Sequence, residues 1–230
     1  MGDRRRIAIK HRKGKCCDRV LLDRRQQLSE RIQHVRFPEA TDTGVEDVFS
    51  LAWFAKKANP STSVTFKWSL DYSFVWDETG VLTPGVTFDA SQVVSADPAN
   101  TNQNAVTFDC PDGAYQFEPA QGPAPGSLYI NESGNIPANQ ASVGVGMAGY
   151  GIFADQAQPN LNLAFTPDPN YWIIAGTFVQ GQVMAEETFT QAAPVVFPDN
   201  VYSMTATLQA NNTWSVVPTP SAQAVPGPRH

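Results

Sequence analysis

Between Val64 and Trp76 every second residue is apolar: Val64, Phe66, Trp68, Leu70, Tyr72, Phe74 and Trp76 fall on one side, and Thr65, Lys67, Ser69, Asp71 and Ser73 on the other. A period of two is strand geometry, because successive side chains of an extended backbone point to opposite faces. A helix would scatter these rings around its circumference, where aromatic and β-branched residues lose side-chain freedom. The pattern predicts one long strand with its aromatic side buried and its polar side open. At about 3.3 Å per residue such a strand runs roughly 40 Å, long enough to need a twist, bend or bulge. It also needs a second apolar layer to cover its rings.

The rest of the body continues in this texture. A mostly apolar run from Val48 ends in a turn at Asn59 and Pro60, and a turn at Gly80 follows the long strand. Val86, Phe88, Ala90 and Val94 alternate in the next expected strand. Short strands are expected at 105–110, 114–118 and 127–131, and again at 161–166, 171–179, 182–190 and 201–208. Pro194 and Pro198 mark 192–200 as an edge or crossing segment. About ten strands separated by Pro, Gly, Asn and Asp predict an all-β protein, an antiparallel β-sandwich. The glycines at 144, 146, 149 and 151 read as strand positions where a neighbour approaches the backbone. No phosphate-loop lysine follows them.

Ahead of this body the pattern differs. Residues 19–36 predict a basic helix with Leu21, Leu28, Ile32 and Val35 near one face, stopped by Phe37 and Pro38. Charge draws the same boundary. Residues 1–40 hold 12 Lys/Arg against 5 Asp/Glu, net +7, whereas residues 41–230 hold 4 against 17, net −13. The expected organisation is a basic N-terminal segment at 1–44, partly helical or disordered and not necessarily part of the fold. A β-sandwich domain at 45–217 and a Pro-rich tail at 218–230 follow. An acidic body disfavours nucleic acid and anionic membranes. With no apolar run of membrane-spanning length and no apolar segment after the first basic residues, the expected location is cytoplasmic.

Candidate chemistry is sparse. The three histidines are His11, His34 and His230, so the body has no imidazole for a Ser-His-Asp or Cys-His arrangement. Cys16 and Cys17 are adjacent and Cys110 is alone, which gives neither a disulfide framework nor a zinc spacing. Cys110 lies beside Asp109 and Asp112, surroundings that suit an inert thiol. No cofactor, metal or catalytic residue is assigned. Carboxylates are the remaining candidates: Asp71, Asp77, Glu78, Glu186 and Glu187, of which two at about 5–9 Å would suit glycoside hydrolysis. Trp53, Trp76, Tyr150, Tyr171 and Trp172 are candidates for stacking on a sugar, although alternation places most of them in the core. Partners left open are a second copy of the chain and a glycan. The N-x-[ST] sites at Asn131 and Asn211 carry no weight without export.

Six ordered blocks carry a family likeness: VFSLAWFAK at 48–56, TFKWSLDYSFVWDETGVLTPGVTFDA at 65–90, GSLYINE at 126–132, GVGMAGYGIF at 144–153, PNLNLAFTPDPNYWIIAGT at 159–177 and FPDNVYSMTATLQANNTWSV at 197–216. Together they resemble the RhiA family, rhizosphere-expressed proteins of plant-associated bacteria, across roughly residues 45–217. The resemblance implies a soluble bacterial protein tied to the plant root and to population-density-controlled expression. It brings no catalytic residues with it. On this resemblance the function expected is a non-enzymatic binding or structural role, the alternative being a carbohydrate-binding module or a carboxylate-based glycan hydrolase. The first 44 residues depart from the family's opening β segment, and are expected to stem from a misplaced start or a shifted reading frame.

Overall fold

The computed structural model describes residues 7–10, 30–33, 48–58, 63–168 and 170–219. The protein is all-β. In chain order the first eight strands are β1 (Ile7–Lys10), β2 (Glu30–Gln33), β3 (Phe49–Ser50), β4 (Ala55–Ala58), β5 (Tyr72–Asp77), β6 (Gln92–Ala96), β7 (Ala105–Asp109) and β8 (Gln116–Ala120). They are followed by β9 (Leu128–Glu132), β10 (Ser142–Met147), β11 (Tyr150–Gln156), β12 (Asn162–Phe165), β13 (Tyr171–Ala175), β14 (Ala193–Val195), β15 (Ser203–Leu208) and β16 (Trp214–Pro218). Among the described strands every pairing is antiparallel except that of β7 with β9.

The strands fall into two compact units. One comprises residues 1–27, 60–68 and 197–230. Its described strands form a sheet in the order β1-β15-β16. β15 and β16 are joined by a turn in which the Gln209 N–H donates to the Thr213 carbonyl at 2.8 Å and Asn212 takes φ 61°. Trp68 is buried in this unit, with Phe197 edge-on to its ring at 6.3 Å.

The other unit comprises residues 28–59 and 69–196. It holds a five-stranded sheet β3-β11-β10-β5-β6, a four-stranded sheet β12-β9-β7-β8 and a four-stranded sheet β14-β13-β2-β4. The first two pack face to face through aromatic rings. Trp76 of β5 lies 5.9 Å from Phe108 of β7, and Phe108 lies 5.4 Å from Phe117 of β8. Gln92 stitches the same layer: its Oε1 accepts from Trp76 Nε1 at 2.8 Å and from the Phe117 N–H at 3.3 Å. On the opposite face of β5, Val75 packs with Leu51, Leu82, Phe88, Ala154 and Val183. β5 is therefore covered on both sides.

Three expectations change. The strand foreseen from Val64 to Trp76 is a strand only from Tyr72 onward. Pro60–Trp68 belongs to the first unit and Ser69 onward to the second, and the Ser69 hydroxyl donates to the Asp71 carboxylate. Such a local side-chain bond competes with ladder pairing. Second, the polar side of this stretch is not open at β5: Ser73 is buried, because β5 is interior to its sheet and has apolar layers on both faces. Third, of the helix expected over 19–36, Glu30–Gln33 is a strand joining β4 to β13, and the remainder lies outside the described residues. Its thin apolar stripe gives a helix little to bury, and sheet pairing prevails over propensity.

The glycine-rich stretch forms the β10–β11 hairpin. Its two-residue turn is Ala148–Gly149, both with positive φ (51° and 85°), the geometry that matches the twist of flanking strands. Ile152 is an extra residue in the ladder, since Val145 pairs Phe153 and Gly146 pairs Gly151. A Cβ at Gly144 would overlap the Phe153 carbonyl, so close backbone approach is what this glycine serves.

Candidate functional site

The acids singled out in the sequence are not gathered into one place by any contact among the described residues. Asp71 is exposed and accepts from Ser69. Asp77, buried at the end of β5, accepts from the Asp89 N–H at 3.2 Å and so ties a strand end to the next loop. Glu78 is exposed near Tyr115, whose hydroxyl it helps to push up, after burial and Cys110. Glu186 and Glu187 sit in a 3-10 turn, Glu186–Gln191, not in the strand expected over 182–190. That strand shrinks to single bridges, Thr87 with Gln182 and Leu51 with Val183.

A different pair of carboxyls is the unusual one. Glu132 ends β9 and is 4% exposed, and Asp155 lies in β11 at 3%. Glu132 Oε2 accepts from the Gln158 N–H at 2.5 Å, while Oε1 is buried with no hydrogen-bond partner. Asp155 Oδ1 accepts from the Gln156 N–H at 2.7 Å. Burial pushes the Glu132 carboxyl up to about 8, the Gln158 bond pulling it back a little and the Asp155 charge adding to the rise. Desolvation disfavours the charged form, and a neighbouring negative charge acts in the same direction.

Both acids could have been found in the sequence. Leu128, Ile130 and Glu132 alternate, as do Phe153 and Asp155, so each acid occupies a core-facing position of its strand. An acid beside a second acid, one carrying its proton near neutrality, has the makings of a general acid. Both side chains are sealed from solvent, however, and a substrate has no path to them in this conformation.

A third acid, Asp109 of β7, lies at the surface. Its carboxyl is lowered chiefly by the Ser133 hydroxyl, which donates to Oδ1 at 2.5 Å, with desolvation opposing. Asn135 Oδ1 accepts from the Cys110 N–H at 3.2 Å, and Cys110 is a buried free thiol, as the sequence suggested. No group of three or more potential metal ligands occurs among the described residues.

The aromatic candidates separate cleanly. Trp53 is fully buried and its indole N–H donates to the Met147 carbonyl at 2.8 Å. Trp76 and Tyr171 are also buried, and Trp172 is half-buried. Tyr150 alone of the five is open, at 46% exposure, beside the β10–β11 turn. Its ring is held edge-on by Phe54 at 5.5 Å, Phe54 lies 4.3 Å from Trp53, and Trp53 stacks on Tyr171 at 6.4 Å. The exposed ring is thus the outer member of a series rooted in the core.

No helix among the described residues is long and apolar enough to cross a membrane. Comparison with known proteins is informative on ancestry. The sequence model of the RhiA family matches residues 22–219. Protein RhiA of Rhizobium leguminosarum bv. viciae is 44% identical over 177 residues, covering 76% of each chain. The family match begins inside the stretch expected to depart from it and includes β2. No solved structure matches.

Proposed function

This chain belongs to the RhiA family, and from that membership we propose that it is a non-enzymatic protein of plant-associated bacteria that acts in the root environment by binding or by building structure. Its expression under population-density control and a cytoplasmic location are part of the same reading. The observation that carries it is Tyr150, a solvent-facing ring fixed from behind by Phe54. A ring ordered before contact loses little entropy on binding, which is what an aromatic anchor requires. A sugar face is the ligand class such a ring suits.

The test is glycan-array binding alongside a turnover assay on root polysaccharides, with wild type and Tyr150→Ala. The reading expects no turnover and binding reduced about tenfold or more by Tyr150→Ala, the loss of one stacked contact worth roughly 1.4 kcal/mol. The alternative of a carboxylate-based glycan hydrolase would have to draw on the Glu132–Asp155 pair, which is closed to substrate in this conformation. It predicts turnover that Glu132→Gln abolishes, and that result would replace the binding account.

A further inference from the structure

A sheet ends at strands whose outer N–H and C=O groups lack a neighbour, and a chain that stays single blocks such edges with charge, Pro or brevity. Most sheet edges here are blocked in that way. β4 carries Lys56 and Lys57, and β8 carries Glu118 and Pro119. β14 and β16 each contain a Pro, β1 ends in a lysine, and β3 has two residues. β12 is uncharged but has four residues, between Pro159 and Pro167. β6 is different: its five residues, Gln92–Ala96, include neither a charge nor a Pro. It pairs with β5 on one side, and no backbone hydrogen bond reaches its other side among the described residues.

The strand is also its own complement. A closed pair of identical chains is two-fold symmetric, so two copies of β6 meet antiparallel, about an axis through one residue. With Val94 on the axis, Val93 of each copy faces Ser95 of the other, Gln92 faces Ala96 and Ser91 faces Asp97. No acid meets an acid. The next register toward the N-terminus sets Asp89 opposite Asp97, and the next toward the C-terminus draws Pro98, which has no N–H, opposite Gln92. Val94 shares the face of Phe74, its partner in β5, so pairing it extends the apolar layer that Phe74 and Phe117 begin. Val93 and Ser95, on the other face, are exposed.

We propose that β6 is a dimerisation edge: two copies of this chain pair antiparallel through Gln92–Ala96 with Val94 on the two-fold axis, joining their five-stranded sheets into one. Strand addition of this kind draws its affinity from main-chain hydrogen bonds. β8, tied to β6 by the Gln92–Phe117 bond, carries Glu118 and Pro119, so the second sheet stops at each copy's own edge. Five residues a side make a small interface, and the dimer is a weak one.

Sedimentation of the full chain from about 1 µM to about 200 µM reads the association. Wild type is expected to pass from monomer to dimer over this range. Val93→Lys with Ser95→Lys sets lysine opposite lysine on both sides of the axis, and is expected to raise the dissociation constant about tenfold or more. It also adds two positive charges to a chain of net −6, which lessens general repulsion, so a loss of pairing reports the local contact. Val93→Lys with Ser95→Glu sets Lys opposite Glu in this register, and is expected to restore wild-type association. Both positions are exposed, so the fold bears these changes. A wild type that stays monomeric to the top of the range, or a dimer that tolerates lysine at both positions, would overturn the proposal. So would a Lys/Glu variant as weak as the double lysine, because 93 and 95 would then not face each other.

Discussion

The ring of Phe74 meets that of Phe117 edge-on, with centroids 6.2 Å apart, and so joins β5 of one sheet to β8 of the sheet that faces it. Phe74 is 1% exposed. Truncating it removes both the buried area and the contact, and leaves a cavity that the flanking aromatic rings are too rigid to fill. Phe74→Ala is expected to cost about 3–5 kcal/mol in denaturant unfolding. Val93→Ala, at an exposed position of β6, is expected to stay within about 0.5 kcal/mol.

Ala148 offers the opposite sign. It holds φ 51° in the hairpin turn, a conformation that costs an L side chain roughly 1–2 kcal/mol and that Asn and Gly tolerate better. Ala148→Asn or Ala148→Gly is expected to stabilise by about 0.5–1 kcal/mol, seen as a raised midpoint of thermal unfolding. Gly149→Ala, at φ 85°, is expected to lower it.

Gln92 supports two donors at once, the Trp76 indole and the Phe117 N–H. Gln92→Leu keeps the bulk and removes the acceptor, so both are left unsatisfied. A loss of about 2–4 kcal/mol is expected, the cost of two unmade bonds.

Stability against pH is expected to fall in two separate limbs. Glu132 carries a value raised from 4.5 to about 8, so the native state holds a proton that the unfolded chain has released, and stability declines as pH rises through that window. The slope is at most about 1.4 kcal/mol per pH unit, and Glu132→Gln removes it. Tyr72 is raised from 10.0 to about 12, by burial first and then by the Asp168 charge. A second decline is expected between those values, absent in Tyr72→Phe. Asp109 has the reverse sign, its lowered carboxyl favouring the fold above its unfolded value and losing that effect in acid. Urea titrations from pH 2 to pH 12 separate the three.

Much of the architecture was legible because period-two alternation is a local property. Phe74 and Trp76 declare their shared face within three residues, and Pro194 correctly marks β14 as an edge of its sheet. That the expected long strand begins only at Tyr72, with a change of unit after Trp68, was not legible. It depends on which unit claims each half, a matter of distant partners such as Phe197. Ser73 was misjudged for the same reason, since alternation reports one apolar face but not whether another layer covers the polar one. The candidate site was missed by residue type. Acids on the polar side or at the end of expected strands, Asp71 and Asp77 among them, attracted notice, whereas Glu132 and Asp155, in line with Ile130 and Phe153, carried the signal of a buried charge.

Native-state hydrogen exchange at Phe74 and Val75 tests the architecture most directly, because covering β5 on both faces is what makes it the structural centre of its unit. The amides of these two residues are expected to exchange only through global unfolding, with the free energy and denaturant dependence measured for the whole transition. Exchange at a much lower free energy and with little denaturant dependence would mean that one face of β5 opens readily to water, and the arrangement described here would be wrong.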